Sequence, residues 1–262
     1  MEIPMKNLIL TLLLACCATA QTAPPVRIIL VGDSTMAVRS GYGPGFCALV
    51  TPEVTCLNMA EGGRSTSSYR AEGSWAQVME KLKDGGSYSG TWVLIQFGHN
   101  DQPGKPGRST ILATEFPANL RRYVEEVKGA GAHPVLVTPL TRRSFRAGKL
   151  QDTLAPWAEA ARKVAAETAT PLLDLHTESM AAVEKMGPIE ANSLAMAPPP
   201  ESVMEGALEG NSPAAPKPAV ANPGEPVFDY THLGAKGADY FGRMVARELA
   251  AAVPKLKDYL RP

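Results

Sequence analysis

Four short polar blocks in the chain hold residue types that acyl transfer uses. They are Gly32-Asp33-Ser34-Thr35, Asn58-Met59-Ala60-Glu61-Gly62-Gly63-Arg64-Ser65-Thr66, Gly98-His99-Asn100-Asp101 and Asp229-Tyr230-Thr231-His232. Ser34 is the candidate nucleophile, although a serine hydroxyl is weak until an adjacent base takes its proton. An Asp-Ser pair after a strand serves equally well as a turn or helix cap. Four histidines are available as the base. Asp229 stands three residues before His232 at the entry to a helical pattern. That spacing lets the carboxylate fold back onto Nδ1, fix the tautomer and leave Nε2 free. The plain alternative is a helix cap beside a surface histidine. His176 competes, because Asp174 lies two residues back, on the same face of a strand. His133 falls at the start of a strand, the wrong edge, and His99 falls inside a turn. For a developing oxyanion the donors on offer are the backbone N–H groups of Ser34 and Gly63 and the side-chain amide of Asn100. Their ordinary readings are a glycine turn and an Asx-turn. Arg64 would sit near the site mouth, either to meet a substrate carboxylate or to close a salt bridge within its loop.

These blocks do chemistry together only if the fold gathers them. Val26–Gly32, Val54–Ala60, Trp92–Gly98, Pro134–Pro139 and Pro171–Leu175 are short apolar runs, which suit strands buried on both faces. Helical periodicity covers residues 74–84, 110–130, with Pro117 starting or kinking the helix, and 150–169. The clearest helix carries Ala238, Phe241, Val245, Leu249 and Ala252 on one face. Strands and helices alternating at these lengths imply a parallel sheet covered on both sides. Ligands of such sheets bind beyond the carboxyl ends of the strands, where all four blocks fall.

The chain has 262 residues, with 26 basic and 26 acidic side chains and zero formal net charge. That length suits one α/β domain, and neutrality argues against a nucleic-acid partner. The charge is uneven, however. Residues 188–226 hold nine of the 23 prolines, no aromatic residue, and five Glu against one Lys. This stretch reads as a Pro-rich insertion without strand or convincing helix, apart from a turn near Val203–Leu208. Removing it leaves the remainder at about +4, a bias that suits an acidic partner. At the N-terminus, Lys6, the apolar run Leu8–Ala15 and Ala18-Thr19-Ala20 read as a signal peptide over residues 1–20, hence export to the periplasm or medium. Leu13-Leu14-Ala15-Cys16 also resembles a lipobox, with Cys16 as the lipid-anchored residue. The run is too short to span a bilayer. Residues 21–262 then form one domain with two cysteines, Cys47 and Cys56, which are either a disulfide or two buried thiols. Gly41-Tyr42-Gly43-Pro44-Gly45 has the wrong spacing for a dinucleotide loop, and the chain has no His-Glu-x-x-His metal motif.

In order and spacing, Gly-Asp-Ser, Gly-Arg-Ser, Gly-His-Asn-Asp and Asp-x-x-His resemble the GDSL/SGNH hydrolase family. Asn58-Met59-Ala60-Glu61-Gly62-Gly63-Arg64-Ser65-Thr66-Ser67-Ser68-Tyr69 and the Gly-His-Asn-Asp block resemble its rhamnogalacturonan acetylesterase branch. The resemblance implies a flavodoxin-like three-layer α/β/α sandwich with a five-stranded parallel sheet, order 2-1-3-4-5, and neither metal nor cofactor. It implies Ser34 as nucleophile, His232 as base, Asp229 as its orienter, and Gly63 and Asn100 as oxyanion donors beside Ser34. Thr35 replaces the family's Leu, at a position read as packing, and Tyr230 replaces a frequent Gly. The substrate implied is an acetylated plant polysaccharide, pectin first, with xylan, or a lipid or thioester, as other esterase readings. A carbohydrate-binding surface protein is the non-enzyme alternative.

Overall fold

The computed structural model describes residues 25–215 and 226–261. The chain enters the sheet at its centre. Strand β1 (Val26–Gly32) is buried along its whole length, because its side chains alternate between two apolar layers. Ile28 and Leu30 face one core cluster, and Ile29 and Val31 face the other. After the short helix α1 (Gly43–Cys47) comes β2 (Val54–Asn58), parallel to β1. Helices α2 (Ser68–Ala71) and α3 (Ser74–Leu82) lead to β3 (Gly90–Gln96), which pairs with the other edge of β1. Helix α4 (Glu115–Gly129) and β4 (His133–Val137) follow. Pro117 is the third residue of α4, where an amide has no intrahelical acceptor to lose, so it starts the helix rather than kinking it.

A two-stranded hairpin, β5 (Phe145–Arg146) and β6 (Lys149–Leu150), precedes α5 (Ala155–Glu167) and β7 (Leu172–Leu173). The main sheet runs β2-β1-β3-β4-β7, all parallel. This is the expected 2-1-3-4-5 order, with the fifth strand cut to two residues. Helices α6 (Leu175–Asn192), α7 (Glu201–Leu208) and α8 (Ala235–Ala252) complete the chain. Residues of α1, α6 and α8 pack on one face of the sheet, and those of α3, α4 and α5 on the other, which gives three layers.

The stretch 188–226 departs from its sequence reading. Residues 188–192 continue α6 past a break at Gly187 (φ 71°), and 201–208 form α7, with Val203 and Ala207 buried. Proline spacing hid both helices, since Pro188 and Pro200 sit where helices begin rather than inside them. Residues 216–225 lie outside the described part, as do residues 1–20, expected as a signal peptide, with Cys16 among them. Cys47 and Cys56 are disulfide-bonded, with Cα atoms 5.6 Å apart, and tie the end of α1 to the middle of β2. The glycines of 41–45 serve packing. A Cβ on Gly45 would lie 2.1 Å from the Ala238 carbonyl oxygen, so α1 and α8 meet backbone to backbone. Among the described residues, no helix is long and apolar enough to cross a membrane.

Candidate active site

The carboxyl end of β1 sets the nucleophile. Beyond Gly32 the chain turns tightly, and the Asp33 carbonyl accepts the N–H groups of Met36 and Ala37. Ser34 stands in this turn, 7% exposed. Beneath it runs a fully buried hydrogen-bond chain. Tyr42 Oη donates to Gln96 Oε1 (2.9 Å), Gln96 Nε2 donates to Thr35 Oγ1 (2.6 Å), and Thr35 Oγ1 donates to Asp33 Oδ1 (2.8 Å). The Thr35 N–H reaches the same oxygen at 2.9 Å. Thr35 is therefore more than packing: its hydroxyl joins β3 to the serine turn, a bond that leucine cannot make. Burial works against the Asp33 carboxylate, but the adjacent His99 ring and the Thr35 donors outweigh it and hold the carboxyl below its usual range.

The loop after β2 lies over this turn. A Cβ on Gly62 would come 3.9 Å from Ser34 Cβ, and Gly63 adopts φ 78°, a left-handed conformation natural to glycine. Among the described residues, neither the Ser34 nor the Gly63 backbone N–H donates to a protein acceptor. The buried Asn100 amide is fixed at both ends. Its Nδ2 donates to the Arg64 carbonyl (3.0 Å), and its Oδ1 accepts from Lys105 Nζ (3.3 Å). This orients the amide and leaves its second N–H available. Asp101 clamps the two loops together, accepting the Thr66 N–H (3.1 Å) and the hydroxyls of Thr66 and Thr110. Burial pushes its carboxyl up to about 6 despite those donors.

The fourth block organises itself around one carboxylate. His232 Nδ1 lies 2.6 Å from Asp229 Oδ2, while Asp229 Oδ1 accepts the N–H groups of Thr231 and His232, each at 2.7 Å. One carboxylate thus caps its own turn and orients its own histidine. Burial raises its pKa, but these bonds and the histidine prevail and bring it down to about 2. The loop is held from behind by Arg143, which is fully buried after β4. Its Nη2 donates to the carbonyls of Asp229 and His232, both at 2.9 Å, and its Nη1 to that of Thr231 at 3.2 Å. Its N–H also donates to the Tyr230 carbonyl at 2.8 Å. Among the described residues, two hydrogen bonds through Ser40, rather than a hydroxyl–imidazole bond, join this loop to the serine: Leu233 N–H donates to the Ser40 carbonyl (2.8 Å), and Ser40 Oγ donates to the Ser34 carbonyl (2.7 Å).

All four blocks therefore meet at one edge of the sheet. The competing histidines do not join them as bases. His176 lies in the first turn of α6, with Nε2 3.1 Å from Asp152. Its supposed partner Asp174 is the N-cap of α6 and pairs with Arg162 at 3.0 Å. His133 opens β4 at the other edge and stacks on Trp92. His99 is buried beside Asp33, and burial lowers its pKa despite that neighbour. Arg64 is held by Glu61 (3.3 Å), Glu72 (2.7 Å) and the Gly62 carbonyl (2.8 Å), so it closes its loop. Sequence reasoning missed Arg142 and Arg143. Their signal was position, two cations just beyond the carboxyl end of β4.

Residues 30–191 match the GDSL-like lipase/acylhydrolase family. The chain is 32% identical over 244 residues to the rhamnogalacturonan acetylesterase RhgT of Bacillus subtilis, covering 90% of this chain and 94% of that one. It is 41% identical over 137 residues to a rhamnogalacturonan acetylesterase of Emericella nidulans, covering 52% and 50%. Among solved structures, the acetylxylan esterase Axe2 of Geobacillus stearothermophilus superposes with a TM-score of 0.58 at 19% identity, over 85% of this chain and 93% of that one.

Proposed function

The chain belongs to the GDSL-like lipase/acylhydrolase family, and from that premise we propose that it is a carbohydrate acetylesterase acting, after export, on acetylated pectin of the rhamnogalacturonan type. The convergence of Ser34, the two free backbone donors, Asn100 and the Asp229–His232 pair at one sheet edge carries the chemistry.

Ser34 Oγ attacks the acetyl carbonyl carbon while His232 Nε2 takes the hydroxyl proton. The oxyanion receives hydrogen bonds from the N–H groups of Ser34 and Gly63 and from Asn100 Nδ2, each such donor being worth about 10²–10³ in rate. His232 returns the proton to the sugar oxygen as the ester C–O bond breaks, leaving an acetyl group on Ser34. Water then attacks with His232 again as base, and acetate leaves as the proton returns to Ser34. Asp229 stabilises the imidazolium in both halves.

The pectin reading is supported by the named activity of the relative matched over nearly the whole chain and by the basic surplus outside residues 188–226. Export is supported by the residue pattern at 1–20 and by the Cys47–Cys56 disulfide, which suits an oxidising compartment. The test is acetate release from acetylated rhamnogalacturonan, xylan and a small aryl acetate, with Ser34→Ala alongside. Rhamnogalacturonan is expected to lead and Ser34→Ala to abolish release from all of them. Unchanged aryl-acetate hydrolysis by Ser34→Ala would overturn the mechanism, and a preference for long acyl chains would overturn the carbohydrate reading.

A further inference from the structure

Cations that are half-buried in this protein generally have an acid beside them: Arg64 has Glu72, Arg70 has Glu126, Arg121 has Glu167 and Arg162 has Asp174. Three do not. Lys105, Arg108 and Arg142 are all partly buried, and among the described residues none forms a salt bridge. Each instead donates to a neutral oxygen on the oxyanion side of the site. Lys105 Nζ donates to Asn100 Oδ1 (3.3 Å) and Arg108 Nη1 to the Gly63 carbonyl (3.2 Å). Arg142 Nη2 donates to Gln102 Oε1 and its Nη1 to Thr153 Oγ1, both at 2.7 Å.

We propose that Lys105, Arg108 and Arg142 form an anion subsite beside the oxyanion donors, and that it takes the carboxylate of a uronic acid residue in the acetylated glycan. This rests on the esterase reading above. The three charges gather on one loop: Lys105 and Arg108 belong to it and Lys105 donates to its Asn100, while Arg142 reaches in from beyond β4 to its Gln102. Burial and the two guanidinium groups push the Lys105 ammonium down. Partly desolvated like charges held together without a counter-ion cost free energy, which an anionic ligand recovers. The acids that act on them from a distance are Asp33 and Asp101 on Lys105, and Asp33 and Asp229 on Arg142. All three acids are committed to their own donors. Lys105 and Arg108 approach Asn100 and Gly63 through carbonyl oxygens, so they back the oxyanion donors rather than replace them. Guanidinium forks match a carboxylate bidentately, and the ammonium adds a point charge. Arg64, the residue that sequence suggested for this task, is already occupied by Glu61 and Glu72.

The test compares kcat/KM for acetate release from acetylated polygalacturonate in its free-acid form and after methyl esterification of its carboxyl groups. The wild type should prefer the free acid by roughly tenfold or more, the worth of one charge-assisted hydrogen bond. The ratio should fall toward one in Arg142→Gln and Arg108→Gln and in high salt. It should persist in Lys255→Gln, an exposed cation in the short helix that follows α8. Acetylated glucuronoxylan, free or methyl-esterified, separates a branch uronate from a backbone one, and a carboxylate effect in either supports the subsite. Inhibition of aryl-acetate hydrolysis by trigalacturonate, weakened about tenfold in Arg142→Gln, reads the subsite even if no polysaccharide is deacetylated. That last outcome would sink the carbohydrate reading alone. A wild-type ratio near one with no trigalacturonate inhibition, or a ratio unchanged in both arginine variants, would overturn the subsite.

Discussion

Asp229–His232 and Asp33–His99 set the same two residue types around the Ser34 turn, and their surroundings differ. The first pair is joined by a 2.6 Å bond, with side chains 43% and 32% exposed. In the second the atoms lie 3.3 Å apart, the side chains are 0% and 3% exposed, and neither His99 nitrogen has a hydrogen-bond partner among the described residues. A general base must pass protons to substrate and water, so it needs an open face, an oriented ring and a partner that stabilises its cation. His232 has all three. The Asp33 carboxylate spends its bonds on Thr35, and burial drives its histidine neighbour toward the neutral form. In the proposed mechanism one pair moves protons. The other is part of the floor that holds the serine turn.

The comparison breaks most visibly on the exposed side. Ser34→Ala and His232→Ala should each lower kcat by a factor on the order of 10⁶, and Asp229→Asn by about 10⁴, read as acetate release from folded protein. Asp229 also carries a pH signature. Its folded-state pKa is depressed from 3.8 to about 2. Its ionised form therefore stabilises the fold fully above its ordinary value, and that contribution is lost as pH falls through about 2. Asp229→Asn should flatten this acid limb in a denaturation series. An acid limb identical to the wild type would show that the carboxylate is not held as described.

A smaller effect belongs to the buried side. Asp33→Asn should cost about 1–3 kcal/mol of stability in urea denaturation, the worth of charge-assisted bonds into a buried carboxylate. Its kcat should move far less than that of Asp229→Asn. If a folded Asp33→Asn lost as much kcat as Asp229→Asn, the division between working pair and floor would collapse.

What sequence revealed and what it hid follow one physical line. Sheet order and the meeting of the four blocks were legible, because apolar runs such as Val26–Gly32 and helical periodicity are local signals that parallel topology converts into position. The Asp229–His232 pairing was legible because three residues of spacing permit it locally. Arg143 was not, since it holds the 229–232 turn from 86 to 89 residues away, and nothing near it in sequence announces that contact. Thr35 was misread for the same reason: its partner Gln96 lies 61 residues on. Helix α7 was hidden by composition, because prolines at helix starts and prolines in loops look alike in a count. His176 looked like a rival only while its segment was read as strand. Once it lies in α6, Asp174 stands at the N-cap position with its carboxylate on Arg162 and Thr177, and a distant Asp152 takes its place beside the ring.

That third pair supplies the mildest test of the contrast. Asp152 sits 3.1 Å from His176, a distance like those in the other two pairs, yet it faces the start of α5. Its Oδ1 accepts the N–H groups of Leu154 (3.2 Å) and Ala155 (2.8 Å). Asparagine keeps such a cap, so Asp152→Asn removes only the charge felt by His176. The acid is part-exposed, and a contact to it is worth about 0–1 kcal/mol. Thermal or urea midpoints should barely move, and kcat for acetate release should equal that of the wild type. A substantial loss of kcat in folded Asp152→Asn would mean that contact between an acid and a histidine suffices for a role in the chemistry. The opposite outcome would confine that role to the pair with an open ring face and a serine turn within reach.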